Sequence, residues 1–399
     1  MAGVGPNDSA DGRWFTERDL SNWKLLRQFQ AAVAKALAGR SVHPTFEDPQ
    51  RLLWMSDYLS LFFFGLLNPV VRTMRGLCLA SDLQRVREEV CRRHVSLGSF
   101  SEAQHLLEPE LLEKVFEDVA AQLPGCSGGD PRFGTQPWLA RDGSLFAALP
   151  RMSWALYGGG RAGKPNNALR LHLSFNVLAR EPARAKVTVG RICERAVWKE
   201  QWRAGEAYIG DRYFAENYRL LGELVELGCT FVLRLREPAT ITVEEELALT
   251  EEDRQAGVVR QAWARLGATE RNRSVRLRVV WLEKVADSEM ILLTNLGPEK
   301  LTAALVVLLY RRRWQVELFF RWVKYLLGCQ HWLAEGPAGA KIQLYLALIA
   351  AVLLQLHTGR RPTKRMFELV QFYLLGVASP EELAQGLQRE LKKSAAKKS

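Results

Sequence analysis

The chain has 399 residues, of which 48% are hydrophobic, and Lys and Arg outnumber Asp and Glu by 55 to 44. This length is enough for a large buried core and predicts two or three domains. The formal net charge of +11 favours a polyanionic partner, although many basic proteins bind no nucleic acid. The six cysteines form no C-x-x-C pair, which argues against a zinc knuckle or a redox motif and fits buried thiols in a reducing compartment.

The sequence gives no sign of a membrane span or of a secretory signal. The most apolar runs, at 61–67, 301–309 and 344–354, are all shorter than the roughly 18 residues that a span requires. The polar segment 1–18 lacks the basic-then-apolar pattern of a signal peptide and is predicted to be disordered. We therefore expect no membrane partner and a cytoplasmic location.

Residues 19–123 are predicted to form a helical region, because apolar residues recur there at three- and four-residue spacing. Ser81 with Gln84, and Ser99 with Glu102, match the capping-box pattern of a helix start. A basic helical bundle can place a helix in a DNA groove, but the solvated face of an ordinary bundle explains the same arginines equally well. These arginines are Arg72, Arg75, Arg85, Arg87, Arg92 and Arg93. The Gly/Pro-rich segment 124–131 is the predicted domain boundary.

Beyond this boundary the pattern becomes α/β. Residues 132–236 predict the order strand, strand, strand, helix, strand, helix, strand. The first strand, over 136–140, ends near Asp142, and the fourth, over 206–210, leads into Asp211. The order matches the ribonuclease-H-like fold, in which the first and fourth strands are neighbours in a mixed sheet. We therefore expect Asp142 and Asp211 to lie on neighbouring strands.

The rest of the chain completes the predicted architecture. Residues 237–296 are predicted to form an inserted β subdomain, and 297–335 the second part of the core, with a long helix over 298–327. Residues 336–390 are predicted to be helical and 391–399 to be a disordered basic tail. The predicted fold is therefore an α/β ribonuclease-H-like catalytic core, interrupted by an inserted β subdomain and flanked by helical N- and C-terminal regions.

Four polar residues of the long predicted helix share one of its faces. At about 100° per residue, Tyr310, Arg313, Glu317 and Lys324 fall within an arc of roughly 60°. A solvated helix face with an Arg313–Glu317 ion pair would give the same pattern. The two aspartates leave alternatives open as well: Asp-Gly is a common turn dipeptide, and Asp211 could simply cap the following helix.

The spacing Tyr-x2-Arg-x3-Glu-x6-Lys of these residues resembles the signature of a group of bacterial DDE transposases, the insertion-sequence family numbered four. The resemblance covers roughly 100–356. It includes the tripeptides 142–144 (Asp-Gly-Ser) after a predicted strand, 209–211 (Ile-Gly-Asp) at the end of another, and 294–296 (Thr-Asn-Leu) before the motif helix. The segment 95–104 is similar to the part of the family that precedes the catalytic domain.

The resemblance implies a metal-dependent active site made of Asp142, Asp211 and Glu317. Two divalent ions about 3.5–4 Å apart can activate an attacking oxygen and stabilise a leaving one. Mg²⁺, for which Mn²⁺ can substitute, prefers carboxylate oxygens. The resemblance implies that Asp142 bridges both ions. It further implies a cut-and-paste reaction, in which water first cuts a strand and the freed 3′-OH then attacks target DNA.

The resemblance also implies DNA contacts. In the family, the residues matching Tyr310, Arg313 and Lys324 hold the DNA end, including the phosphate of a flipped nucleotide in a hairpin intermediate. Base stacking is assigned to Trp263 in preference to Trp281, although either could belong to the core. Two further residues of the motif helix are candidates to line the DNA path, namely Trp314 and Arg321.

The segment 158–164 matches most of the phosphate-binding loop G-x4-G-K. It is followed by Pro165 instead of Ser or Thr, and by a predicted strand instead of a helix, so nucleotide binding is not expected. We interpret it as a flexible loop from which Arg161 and Lys164 contact the DNA backbone.

The implied partners are double-stranded DNA, as transposon ends with terminal inverted repeats and as target, and a second copy of the chain in a synaptic complex. Two alternatives are a transposase-derived DNA-binding protein without catalysis and a ribonuclease-H-like nuclease or junction resolvase that cuts without joining. The intact set of three carboxylates argues against the first. The Tyr-Arg-Glu-Lys stripe and the inserted segment argue against the second.

Overall fold

The computed structural model describes residues 24–38, 53–68, 70–71, 73–123, 130–159, 165–269, 274–285, 288–326, 332–358, 363–375 and 377–396. The chain forms two compact units. Unit one comprises Met1–Leu123, Ala147–Asn167 and Trp322–Ser399, and unit two comprises Pro124–Phe146 and Ala168–Arg321. The predicted disordered N-terminus, over 1–18, and most of the boundary segment, over 124–129, lie outside the described residues.

The helices, in chain order, are α1 (Lys24–Leu37), α2 (Met55–Leu67), α3 (Met74–Ala80), α4 (Gln84–Glu89), α5 (Leu97–Leu106), α6 (Glu110–Ala120), α7 (Glu194–Glu200), α8 (Tyr218–Glu226), α9 (Glu251–Gln255), α10 (Ala303–Arg312), α11 (Trp314–Leu326), α12 (Pro337–Thr358), α13 (Lys364–Leu374) and α14 (Pro380–Ala396). The strands are β1 (Trp138–Ala147), β2 (Leu156–Gly159), β3 (Pro165–Asn176), β4 (Glu181–Val189), β5 (Ala207–Gly210), β6 (Thr230–Arg234), β7 (Ile241–Glu246), β8 (Val258–Leu266), β9 (Leu277–Val285) and β10 (Ser288–Thr294).

Unit one is mainly helical and is built around α12. This helix packs against α1, α2 and α6, and the Tyr345 hydroxyl donates to Glu113 of α6 at 3.0 Å. By length and composition α12 could span a membrane, since Pro337–Leu356 has a mean hydropathy of 1.7, but 89% of its apolar window is buried inside the fold. It is therefore the core helix of this unit. The tail prediction is wrong for 391–396, because α14 continues to Ala396.

Unit two is organised by a mixed β-sheet. The strand order is β2-β3-β1-β5-β6-β10-β9-β8-β7, with β4 paired to β3, and β2 joins the start of β3 within unit one. Strands β1, β5 and β6 are parallel neighbours, whereas the pairs from β6 through β10 to β7 are antiparallel. The predicted pairing of the first and fourth strands is confirmed as β1 with β5. This mixed sheet with flanking helices fits a ribonuclease-H-like core.

The segment predicted as an inserted subdomain continues this sheet. Strand β10 pairs with β6 of the core, with Leu293 opposite Leu233. One hydrophobic cluster includes Phe231 of β6, Ala264 of β8 and Val279 of β9. Because the strands share one ladder and one core, the segment extends the core sheet instead of packing as a separate layer.

Two predicted elements near the candidate site have different bounds. Strand β1 runs to Ala147, so Asp142 lies inside a strand and not in the turn considered for Asp142-Gly143. The single helix predicted over 298–327 is two helices, α10 and α11, that meet at Arg313. At the junction the Arg313 N–H bonds to the Tyr310 carbonyl at 3.0 Å, and the Val316 N–H to the Arg313 carbonyl at 3.1 Å. These three-residue bonds tighten the chain at the one-residue interruption between the two helices.

Candidate active site

The parallel strands place the two aspartates side by side. Ala140 of β1 lies opposite Ile209 of β5, and continuing this register by two residues puts Asp142 opposite Asp211. Gly210 of β5 lies opposite Leu233 of β6, so the next pair in the same register is Asp211 with Arg234. Neighbouring strands are about 4.8 Å apart. Asp142, Asp211 and Arg234 therefore form one row across three strands.

Local backbone contacts fix both aspartate carboxylates. Asp142 Oδ1 accepts the Gly143 N–H at 2.8 Å, and Asp211 Oδ1 accepts the Tyr213 N–H at 3.0 Å. The second bond makes a turn before the short 3-10 helix Phe214–Glu216, whose N-cap is Tyr213, and Asn217 caps α8, so Asp211 is not the helix cap considered for it. A side chain at Gly210 would lie 2.8 Å from Leu233, which explains why a glycine precedes Asp211.

Arg313 links Asp142 to Glu317. Its Nη1 donates to Asp142 Oδ2 at 2.9 Å, and its Nη2 donates to Glu317 Oε1 at 2.7 Å. The side chains of Arg313, Asp142 and Glu317 are only 15%, 18% and 29% exposed. The expected i,i+4 pair on the helix is present, but the same guanidinium also reaches across to β1. One cation thus holds a strand carboxylate and a helix carboxylate together.

Burial and neighbouring charges shift the acidity of this site. Burial raises the pKa of Asp142 to about 6, with Arg313 opposing the rise and the Asp211 and Glu317 carboxylates adding to it. Burial likewise raises the pKa of the Tyr310 hydroxyl. The Asp211 and Glu317 carboxylates are therefore close enough to Asp142 to disfavour its ionised form, and a cation beside Asp142 is favoured.

Two caps hold the start of α10, the helix that carries Tyr310. The Thr302 hydroxyl accepts the Leu305 N–H at 3.3 Å, and the buried Asp253 of α9 accepts the Ala304 N–H at 2.8 Å. Asp253 also forms a capping box with Thr250 at the start of its own helix. The segment between β7 and β8 therefore supplies one of the two caps at the start of α10.

A cavity of about 390 Å³ opens beside Arg313. Its polar lining comes from three arginines, one carboxylate and one tyrosine, and its apolar wall includes Trp314 of α11; the polar residues are Arg234, Arg311, Arg313, Glu283 and Tyr310. Trp314 is 46% exposed, and the Arg321 guanidinium lies 5.3 Å from its ring centre. Further apolar lining is given by Leu282, Met290, Leu292 and Val307. The cavity thus joins aromatic surface to cationic groups beside the carboxylates.

The structure does not bring every predicted residue to this cavity. Trp281 is 7% exposed and belongs to the hydrophobic cluster of the sheet, so it is a core residue. Trp263, on β8, is not among the lining residues, and the Arg276 guanidinium lies 5.0 Å from its ring centre. Lys324 lies towards the end of α11, within unit one. Arg161 and Lys164 lie outside the described residues.

Sequence reasoning missed Arg234. The predicted strand over 230–236 contained this residue, and it follows the strand that leads into Asp211. The parallel register of the two strands was the missing information, since it alone shows that Arg234 lies in the row of the aspartates.

The donor set suits a hard divalent cation, since Asp142, Asp211 and Glu317 offer only carboxylate oxygens. Within the described part of the chain, however, no three His, Cys, Asp or Glu side chains are grouped closely enough to enclose a metal ion. Arg313 lies between two of the three carboxylates and supplies the positive charge there. The residues therefore fit Mg²⁺ by their chemistry, with Arg313 as the present counter-ion.

Fold and site together define a carboxylate-bearing ribonuclease-H-like core. The family model described as "Transposase DDE domain" matches residues 135–353, which is more than half of the chain, so the protein belongs to the DDE transposase family.

Two curated relatives carry transposase names. The chain is 28% identical over 206 residues to "Probable transposase for insertion sequence element IS5377" of Geobacillus stearothermophilus, covering 51% of this chain and 52% of that protein. It is 28% identical over 156 residues to "Putative transposase y4zB" of Sinorhizobium fredii (strain NBRC 101917 / NGR234), covering 38% and 43%. The chain thus spans about half the length of each curated relative that it matches.

One solved structure can be superposed on most of this chain. It is titled "Cryo-EM structure of piggyBac transposase synaptic complex with hairpin DNA (SNHP)". The comparison covers 98% of this chain and 84% of that chain at 12% identity and a TM-score of 0.44, which is too low to bear on the fold or the function of this protein.

Proposed function

We propose that this protein is a DNA transposase that cuts and joins DNA at Asp142, Asp211 and Glu317. The observation that carries the proposal is the parallel register that puts Asp142 beside Asp211, with Arg313 tying Glu317 to Asp142. This arrangement lies within the matched transposase domain. The three carboxylates would hold two Mg²⁺ ions, with Mn²⁺ as a substitute. When bound, the ions would activate the attacking oxygen and stabilise the leaving oxygen.

The protein's own residues would bind and orient the DNA end. Arg313 and Arg234 can each donate to a phosphate oxygen, and Tyr310 lines the same cavity. Trp314 offers an exposed aromatic face on which a base can stack. A cavity of about 390 Å³ is within the usual range for small-ligand pockets, about 300–1,000 Å³. We therefore assign this cavity to a nucleotide flipped out of the DNA end, as a hairpin intermediate requires.

The remaining DNA contacts follow the resemblance. Lys324 and Arg321 of α11 would add positive charge along the DNA path, and Trp263 remains the predicted stacking residue from β8. Exposed arginines of the N-terminal helical region, among them Arg75 and Arg93, support a role of that region in binding terminal inverted repeats. Pairing of two ends by a homodimer, and action on bacterial DNA in the cytoplasm, belong to the same proposal.

The test is cleavage of a labelled DNA fragment that carries the element's own end, with Mg²⁺ and with EDTA. We expect metal-dependent nicking at the end by the wild type, followed by joining to target DNA. Glu317→Ala should abolish both reactions and leave DNA binding intact. Glu223→Ala is the matched control, since Glu223 is a helix carboxylate that pairs with Lys199 on the surface.

Each other outcome points to a different function. Specific binding without cleavage in Mg²⁺ and in Mn²⁺ would favour a DNA-binding protein that has lost catalysis. Cleavage without joining would favour a ribonuclease-H-like nuclease or resolvase. Cleavage that survives in Glu317→Ala would show that the active site lies elsewhere.

A further inference from the structure

Glu194 of α7 packs directly against the backbone next to Asp142. A Cβ atom built on Gly143 would lie 2.9 Å from the Glu194 carboxyl carbon and 3.0 and 3.1 Å from its two oxygens. Real Cβ atoms essentially never show the shortest of these distances, so a side chain at position 143 would displace the Glu194 carboxylate. Gly143 must therefore be glycine for Glu194 to remain where it is, and the carboxylate rests on the main chain of β1.

This contact lies on the face of the sheet opposite the Asp142 carboxylate. Successive residues of a strand point to opposite faces, so Asp142 and Gly143 face different sides of β1. Leu139, which shares its side with Gly143, belongs to the hydrophobic cluster that contains Trp198 of α7. Asp142 points to the other side, where Arg313 holds it. Glu194 thus supports β1 from behind the site.

Arg170 of β3 holds Glu194 in this position. The two side chains form an ion pair, and they are only 13% and 18% exposed. Arg170 Nε also donates to the Gly190 carbonyl at 3.2 Å, which ties the guanidinium to the end of β4. The nearby His172 is buried, and its ring bonds to the Thr188 hydroxyl at 2.9 Å. Arg170 of β3 thus fixes Glu194, and the Glu194 carboxylate packs against β1 at Gly143.

Stability alone does not account for this ion pair. A largely buried pair loses much of its Coulombic attraction to desolvation, so it adds little to the free energy of unfolding. Such a pair can instead fix geometry. Here the fixed group is Gly143, whose N–H orients the Asp142 carboxylate at 2.8 Å.

We propose that Glu194, held by Arg170, is a positioning residue for Asp142 and acts through the backbone of Gly143. The proposal rests on the proposed function, since it assigns Asp142 to the metal-binding carboxylates. Groups that orient metal-binding carboxylates typically change metal affinity or activity by about 10–100-fold when they are replaced. Glu194 would therefore set how well the carboxylate site binds its ions, although it lies on the opposite face of the sheet.

The experiment compares Glu194→Gln with Glu200→Gln. Both residues lie on α7 and both form an ion pair with a neighbouring strand, but Glu200 is 58% exposed and pairs with Lys186. Mn²⁺ affinity is measured by electron paramagnetic resonance, and end binding and cleavage are measured on the labelled fragment. We expect Glu194→Gln to bind Mn²⁺ about tenfold more weakly and to cleave more slowly, with unchanged end binding. Glu200→Gln should match the wild type in all three.

Arg170→Gln and the double variant Arg170→Gln/Glu194→Gln complete the test. Arg170→Gln should weaken Mn²⁺ binding as Glu194→Gln does, and the double variant should be no worse than either single variant, because the two residues act as a unit. The double variant leaves no unpaired buried charge, so we expect it to fold even if a single variant does not. Its Mn²⁺ affinity can then be measured in place of that of the single variant.

A merely structural role would lower the folded fraction but leave the Mn²⁺ affinity of the folded protein unchanged. Wild-type Mn²⁺ affinity in Glu194→Gln, or in the double variant, would therefore overturn the inference while the proposed function stands. A wild type that neither binds Mn²⁺ nor cleaves DNA would overturn both.

Discussion

The guanidinium of Arg313 can bind either a carboxylate of the protein or a phosphate of the DNA. In the structure it binds the Asp142 and Glu317 carboxylates, and it also lines the cavity assigned to the DNA end. Under the proposed function, a metal ion bound by these carboxylates would compete with Arg313 for the same oxygens. If Arg313 bound a DNA phosphate instead, it would no longer compete with the metal ion for the carboxylates. Metal binding and DNA binding would then be linked, and each would favour the other.

Replacing Arg313 by Gln should therefore strengthen metal binding by the DNA-free protein. Each charge-assisted hydrogen bond to a carboxylate contributes about 1.5–3 kcal/mol, so removing the competitor should raise the Mn²⁺ affinity by about tenfold or more. End cleavage should fall, because a phosphate ligand is lost. Titration of Mn²⁺ by electron paramagnetic resonance, with and without the DNA end, measures both effects. An unchanged affinity in Arg313→Gln would show that the guanidinium does not compete with the metal.

The raised pKa of Asp142 predicts a pH-dependent stability of the metal-free protein. Its folded value of about 6 lies above the ordinary value of 3.8, so the folded state takes up this proton before the unfolded state does. The contribution of Asp142 to stability is therefore most favourable below pH 3.8 and is lost as the pH rises through 6. Above pH 6 the ionised carboxylate costs on the order of 3 kcal/mol, from about two pKa units at 1.36 kcal/mol each.

Asp142→Asn should remove this cost, because Asn resembles the protonated carboxyl in shape. In EDTA the variant should unfold at a higher urea concentration than the wild type at pH 8, and its advantage should shrink by about half at pH 5. Urea unfolding at both pH values measures the difference. Glu226→Gln, which changes an exposed carboxyl on α8, is the control. An advantage of equal size at both pH values would contradict the raised pKa.

At the level of elements, Asp253 couples the segment between β7 and β8 to the motif helices. One carboxylate oxygen accepts the Ala304 N–H at the start of α10, and the other accepts the Thr250 N–H at 3.0 Å. Because Asp253 is 2% exposed, its loss leaves buried donors without partners. Asp253→Ala should therefore lower the free energy of unfolding by about 2–3 kcal/mol and displace Tyr310.

Thr302→Ala is the comparison for this prediction. It removes only the hydroxyl cap of α10 and should cost about 1 kcal/mol. Urea unfolding gives the stability of both variants, and end cleavage reports on Tyr310. If Thr302→Ala were as damaging as Asp253→Ala, α10 would not depend on the segment between β7 and β8.

Most elements were predictable from the sequence because periodicity is a local property. The predicted strands over 136–140 and 206–210 are present as β1 and β5. The Ser379 hydroxyl caps α14 by accepting the Glu382 N–H at 3.2 Å. Other helix starts were misplaced. Ser96 caps α5 where Ser99 was expected, and Ser81 ends α3 instead of starting α4, since its hydroxyl bonds to the Cys78 carbonyl. Several neighbouring residues have side chains that can cap a helix, and tertiary packing determines which of them does so.

The site was predictable only in part, for a related reason. The motif spacing singled out Glu317 and Arg313, but one helix was predicted where the structure has two, separated at Arg313. Arg234 and Glu194 gave no local signal at all. Arg234 joins the site through strand register, and Glu194 joins it through the packing of α7 on the sheet. Both relations are between elements distant in the sequence, which periodicity does not encode.

For the molecule as a whole, the net charge of +11 predicts a strong salt dependence of DNA binding. Each phosphate neutralised by Lys or Arg releases a counterion, so the logarithm of the affinity falls linearly with the logarithm of the salt concentration. A protein with about 6–10 such contacts loses about 10³–10⁵ in affinity between 50 and 200 mM salt. End binding by this protein should show a loss of that order, and Glu317→Ala should show the same slope, because Glu317 neutralises no phosphate.

The arginines of the N-terminal helical region should contribute unequally to this slope. Arg87 already pairs with Asp82 at 3.2 Å, whereas Arg75 and Arg93 are exposed cations on the same region. Arg75→Gln and Arg93→Gln should each reduce the slope by about 1 for any DNA sequence, and Arg87→Gln by less. Fluorescence anisotropy over a salt series, on the element's end and on unrelated DNA, measures the slopes. If all three variants keep the wild-type slope, these arginines form an ordinary solvated surface and another part of the molecule holds the DNA.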